Sequence, residues 1–238
     1  MASARALLLI ADIGGYTEYM RSHRTSLGHA EANTARLLKK IIDAARGFDL
    51  IDVEGDAAFL SRRADPLDGD ATVAATTEAV VSMYRAFHIE RQHVATNLCP
   101  CDDCAQADNL KLKFVAHIGD VATQTIKQRR TLVGIDVIFV HRLLKNSVPV
   151  SEYVLLSEAL YQTGGGSLPD RVHEISQDLE GIGPVRTYFM DVEDLAGSLP
   201  PQPDPSWLGR AGRTVDLVGR GLPYMLRVRR PRRPASAH

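Results

Sequence analysis

Ala6-Leu7-Leu8-Leu9-Ile10-Ala11-Asp12-Ile13-Gly14-Gly15-Tyr16-Thr17, residues 6–17, is the stretch on which the reading of this chain turns. Six apolar residues run without interruption into an aspartate and a glycine pair. That pattern predicts a buried strand that ends in a turn and carries a carboxylate at its polar tip.

Working outward, apolar Ala35, Leu38, Ile41, Ile42 and Ala45 recur at helical spacing over residues 31–45, and Gly47 stops that helix. Residues 48–53 and 57–60 predict two short strands joined by Glu54-Gly55-Asp56, a hairpin whose tip presents a second aspartate. A long helix follows over residues 70–93, with Val73, Thr77, Val80, Val81, Tyr84 and Phe87 on one side. Residues 97–109 interrupt the pattern as an insertion.

In residues 110–121, Leu112, Phe114, Ala116 and Ile118 alternate as the buried side of a strand, with a turn expected at Gly119-Asp120 and a partner strand ending near residue 126. Residues 134–146 predict a helix offering Val137, Val140, Leu143 and Leu144 to a core. Strands at 153–156 and 185–190 complete the order β-α-α-β-β-α-β-β-α-β-β. The fold class expected is α/β, an α+β sandwich with a central, mostly antiparallel sheet flanked by helices.

The 238 residues are 45% hydrophobic and 24% charged, which suits one well-packed domain with an appendage. A net charge of -1 and a pI near 6.7 argue against a dedicated nucleic-acid binder. No run reaches the roughly 20 apolar residues of a membrane span, and the apolar start lacks a secretory cleavage site, so a cytoplasmic location is expected. The domain is expected over residues 1–195. A proline-rich linker spans 196–207, and an arginine-rich tail spans 208–238 with eight arginines against one aspartate. Such a tail suits an acidic partner, RNA or anionic lipid, or is simply a solvated extension.

Two aspartates at the ends of neighbouring strands, Asp12 and Asp56, are the arrangement a two-ion phosphoryl-transfer site needs, although turn-capping aspartates are common. The words around them are ADIGGYTEYM at 11–20, EGDAAFL at 54–60, HIGD at 117–120 and TLVGIDVIFVHRLL at 131–144. In that order they resemble the class III nucleotide cyclase homology domain over about residues 5–192. The CPCDDC loop, NLKLKFVAHIGD and VHRLLKNSV further resemble an uncharacterised bacterial family related to those cyclases, a domain of unknown function.

The resemblance implies a ferredoxin-like, cyclase-like fold in which Asp12 and Asp56 hold two Mg²⁺ or Mn²⁺ ions, with the carbonyl of Ile13 as an extra ligand. It implies that Gly14, Gly15, Tyr16 and Thr17 cradle the phosphates of a nucleoside triphosphate and that Arg142 is catalytic, stabilising phosphoryl charge. It further implies that Thr131 contacts the base and that the protein works as a homodimer. Glycines before a helix also suit an anion on physical grounds, through exposed N–H groups.

Three positions depart from the family. Where the family places an asparagine, four residues before Arg142, stands Ile138, which donates no hydrogen bond. The purine-reading lysine is replaced by Asp52, and the late phosphate-binding lysine by Glu180. The reading that follows is a signalling module that binds a metal–nucleoside triphosphate with weak or absent cyclase activity. Two alternatives stand beside it: an active nucleotidyl cyclase that uses another base, and a non-catalytic interaction domain. Asn146, on the same helical face as Arg142, is a candidate to replace the lost amide.

Cys99, Cys101 and Cys104 lie within six positions. Their C-x-x-C spacing is half of a zinc site, with His117 or His141 as candidate further ligands. Reduced loop thiols and a redox-labile pair are the other readings.

Overall fold

The computed structural model describes residues 3–23, 27–64, 68–98, 106–164, 168, 171–197 and 199. Cys99, Cys101 and Cys104, the greater part of the linker and the whole arginine-rich tail lie outside the described residues.

The opening apolar run forms strand β1 (Ala4–Gly14), followed by helices α1 (Tyr16–Ser22) and α2 (Leu27–Ala44). Strands β2 (Asp49–Glu54) and β3 (Ala57–Arg63) form the expected hairpin, with Gly55 at φ 65° in its turn. Helix α3 (Gly69–His93) is capped by the Asp68 side chain, which accepts from the Ala71 N–H at 2.9 Å. Then come strands β4 (Lys111–Ile126) and β5 (Arg129–Val133) and helix α4 (Ile135–Leu143). Strand β6 (Tyr153–Ser157), helix α5 (Glu158–Thr163), the hairpin β7 (His173–Leu179) and β8 (Gly183–Asp191), and helix α6 (Val192–Ala196) complete the domain.

One eight-stranded sheet runs in the order β2-β3-β1-β4-β6-β8-β7, with β5 folded back on the far half of β4. Among the described residues only β4 and β6 pair in parallel. Alternation in β1 sends Leu7, Leu9 and Ala11 to one face, where α2 and α3 cover them with Leu37, Ile41, Val80 and Phe87. Ala6, Leu8 and Ile10 face the other way, against Val140 and Leu143 of α4. Asp12 continues that second register. The faces are therefore covered unequally, and large apolar side chains stay exposed on α4 (Ile135, Ile138) and β2 (Leu50, Val53).

The turn expected at Gly119-Asp120 does not exist. Strand β4 passes straight through both residues, and the reversal comes at Lys127, a non-glycine residue at φ 55°. Gly119 serves close packing instead: a Cβ there would stand 2.3 Å from the Asp136 side chain of α4. The expected alternation of Leu112, Phe114, Ala116 and Ile118 holds, and all four lie in the first core.

Candidate active site

Asp12 sits one strand pairing away from two neighbours. It faces Ala57 on β3, the residue after Asp56, and Lys113 on β4. The hairpin is tied to β1 by the Ile13 N–H, which donates to the Asp56 carbonyl at 3.1 Å. The antiparallel register thus brings two carboxylates from distant sequence positions to one end of the central strands.

Electrostatics registers that proximity. Burial, reinforced by the negative charge of Asp12, pushes the Asp56 carboxyl above the usual range. Lys113 offsets part of the charge: its Nζ lies 2.8 Å from Asp12 Oδ2, and both side chains are largely buried. Burial alone would lower the Lys113 pKa, but the Asp12 hydrogen bond and charge outweigh it and leave the ammonium above its ordinary value. Sequence reasoning missed Lys113. The available signal was a lysine on the face of β4 opposite Leu112 and Phe114.

Gly15, at φ 81°, provides the left-handed turn from β1 into α1, beside the Asn109 carbonyl. Gly14 and Tyr16 are partly buried and Thr17 is exposed, so the segment borders the two aspartates at the surface. Two carboxylates with a backbone carbonyl nearby are an oxygen donor set that suits a hard divalent cation. Among the described residues no cluster of three or more His, Cys, Asp or Glu side chains forms a metal centre.

Arg142 belongs to a different group. Its Nη1 lies 3.8 Å from Glu180 Oε2, too far for a hydrogen bond, and packs beneath Gly181 in the β7–β8 turn. That nitrogen is buried with no hydrogen-bond partner among the described residues. Next to it, His141 stacks edge-on against Phe59 and lies 3.4 Å from Glu54, which docks α4 over the β2–β3 hairpin. Asp52 meets Arg129 of β5 at 3.4 Å, and Thr131 lies two residues further along that strand. Ile138 is half exposed on α4.

Asn146, the candidate for a replacement amide, is engaged at the end of α4. Its Nδ2 donates to the Leu143 carbonyl at 2.7 Å, and its Oδ1 accepts from the Val148 N–H and the Tyr153 hydroxyl, so it terminates α4. His117 is engaged as well: Nε2 contacts Asp136 Oδ1 at 2.9 Å and Nδ1 contacts Ser157 Oγ at 2.8 Å. A recess of about 360 Å³ beside it, lined by His117, Phe139, Ser157 and Arg186, includes none of Asp12, Asp56 and Arg142.

Residues 34–153 match the family described as protein of unknown function DUF2652. The chain belongs to that family. This DUF2652 protein is 38% identical over 194 residues to the uncharacterized protein Rv2561/Rv2562 of Mycobacterium tuberculosis, covering 81% of the chain and 88% of the relative. Its fold is that of cyclase catalytic domains. It superposes with a TM-score of 0.58 on the guanylate cyclase domain of RhGC from Catenaria anguillulae, solved with GTP, at 17% identity over 79% of this chain and 97% of that one. The adenylyl cyclase CyaB from P. aeruginosa gives the same TM-score and identity, over 79% of this chain and 94% of CyaB. A class III adenylyl cyclase-like ATP-binding protein from Pseudomonas aeruginosa matches with a TM-score of 0.54 at 16% identity, over 68% of this chain and 35% of that one.

No helix among the described residues is long and apolar enough to cross a membrane.

Proposed function

We propose that this DUF2652 protein is a cyclase-like signalling module that binds a metal–nucleoside triphosphate and has lost most or all of its cyclase activity. The observation that carries this reading is the Asp12–Asp56 pair, two carboxylates close enough for the charge of one to hinder ionisation of the other. A Mg²⁺ or Mn²⁺ ion relieves that repulsion and, when bound, neutralises the negative charge of a triphosphate. Gly14 to Thr17 border the same end of β1 and offer backbone N–H groups to phosphate oxygens.

Arg142 supplies the second anchor, because a buried guanidinium nitrogen without an acceptor is a receptor for a phosphoryl oxygen. Since Arg142 and the aspartates form separate groups in one chain, we infer that a second copy completes the site. Exposed Ile135 and Ile138 on α4, together with exposed Val53 on β2, support these two elements as the surface that the second copy covers. The weakened chemistry rests on Ile138, which leaves no amide donor, and on Glu180, whose charge opposes a triphosphate near Arg142.

Asp52 bears on the base. A carboxylate accepts and never donates when ionised, so this position suits a base edge rich in N–H donors, as in guanine, better than adenine.

The test is calorimetric titration of ATP, GTP, CTP and UTP with Mg²⁺ or Mn²⁺ into the protein and into Asp12→Ala, with the mixtures assayed for 3′,5′-cyclic product. Binding that disappears in the variant without product formation is expected. Rapid product formation would make the protein an active cyclase, and absence of any nucleotide binding would leave an interaction domain.

A further inference from the structure

We propose that Lys113 is an internal counter-ion that competes with the divalent metal for Asp12, so that metal enters only by displacing the ammonium. This inference rests on the metal-binding reading of Asp12 and Asp56 and adds a control on that site.

The pairing is imposed by the sheet. Asp12 and Lys113 are direct cross-strand partners in an eleven-pair ladder between β1 and β4, the most extensive in the sheet. Side chains of opposed residues leave the same face of a sheet, so the lysine has little choice of direction. The contact is 2.8 Å long, and the two side chains are 26% and 15% exposed, which shields the pair from the screening that makes surface ion pairs weak. The lysine charge also reaches Asp56, where it acts to lower the carboxyl pKa.

Two ionised carboxylates and one ammonium sum to a charge of -1. A divalent cation coordinated by Asp12 takes the position of a second positive charge beside Nζ, and in a partly buried site that repulsion is strong. Coordination of Asp12 Oδ2 also requires the oxygen to surrender its hydrogen bond to Lys113. Metal affinity is therefore set by the difference between metal coordination and the ion pair it replaces. A lysine at this position keeps Asp12 paired and halves the negative charge of the two aspartates in the absence of metal, and it raises the metal concentration at which the site loads.

The test uses Mn²⁺ alone, without nucleotide, titrated into the full chain with free Mn²⁺ read from its electron paramagnetic resonance signal. Lys113→Met and Lys113→Gln remove the charge and shorten the side chain by only one atom, and near-ultraviolet circular dichroism checks that each is folded. Both variants are expected to bind Mn²⁺ at least fivefold more tightly than the natural chain, and adding Asp12→Asn to either should abolish the gain. Binding that depends on Asp12 but is unchanged or weaker in both lysine variants overturns the counter-ion role and leaves the metal site standing. Absence of Asp12-dependent Mn²⁺ binding in every form overturns the metal site and this role together.

Discussion

Asp136 of α4 lies directly over Gly119 of β4, close enough that its Cγ stands 2.3 Å from where a Cβ on residue 119 would be. One carboxylate oxygen accepts from the Asp120 N–H at 2.8 Å and the other contacts His117 Nε2 at 2.9 Å. The start of the helix that carries Arg142 is thereby fixed to the central strand through a single side chain.

Gly119→Ala is therefore expected to push α4 off the sheet and destabilise the protein by about 1–3 kcal/mol, in the range typical of overpacking. Gly28→Ala is the control: it lies in helix α2 with no atom within 4 Å of an added Cβ, and should be neutral or stabilising by up to about 1 kcal/mol. Urea unfolding of both variants checks the contrast, and equal midpoints would refute the packing role of Gly119.

His117 should make stability depend on pH. Burial lowers its pKa, an effect that the hydrogen bond and charge of Asp136 only partly oppose, and Arg5 adds a further downward push. The unfolded chain therefore binds this proton more readily than the folded one. Stability is complete above the ordinary histidine value near 6.5 and declines as pH falls from there through the lower folded value. Unfolding free energies measured from pH 7.5 to pH 5 should show a shallower decline in His117→Gln than in the natural protein. An unchanged decline assigns the effect to other groups.

At the position proposed to read the base, Asp52→Lys replaces an acceptor with a donor and should shift nucleotide preference from GTP toward ATP. One hydrogen bond to a charged group corresponds to about tenfold to hundredfold in affinity. The ratio of the two dissociation constants, measured in the same buffer, is the readout. Arg129 loses its 3.4 Å partner in this variant, so Arg129→Gln serves as the control for that loss.

Ile138→Asn restores a donor on the exposed face of α4, one helical turn before Arg142. A single donor aimed at developing charge is worth about 10² to 10³ in rate. The variant should form cyclic nucleotide with Mn²⁺ at a rate above that of the natural chain. No rise would mean that Glu180 or Asp52 limits the reaction instead.

Much of the fold can be read from local pattern. The apolar run of β1, the Glu54-Gly55-Asp56 turn, the faces of α2 and α3 and the alternation of Leu112 to Ile118 each carry a period that a short window contains. What escaped is decided by tertiary packing. Strand β7 places polar residues such as Glu174, Ser176 and Asp178 on an exposed edge of the sheet, and β5 is a five-residue arm that exists because β4 outruns the rest of the sheet. Gly119 reads as a turn residue because sequence does not distinguish a glycine needed for φ from one needed for clearance. Asp12 and Asp56 stand out in the sequence because one lies near the end of an apolar run and the other in a recognisable hairpin turn. Lys113 does not, because its partner lies about a hundred residues away in the chain.

That separation has a consequence for how the molecule comes into being. The apolar strand β1 emerges before both of its neighbours in the sheet, β3, some fifty residues later, and β4, about a hundred residues later. During synthesis the segment from Ala6 to Ala11 stays without its sheet partners until the Ala57–Arg63 strand has appeared, and its second edge stays open until the Lys111–Ile126 strand has followed. Such long-range closure is slow and leaves a sticky edge exposed meanwhile. The newborn chain thus offers a holding chaperone a natural substrate in β1, and pulsed hydrogen exchange during refolding should find the amides of Leu7 to Ala11 protected only after those of α3.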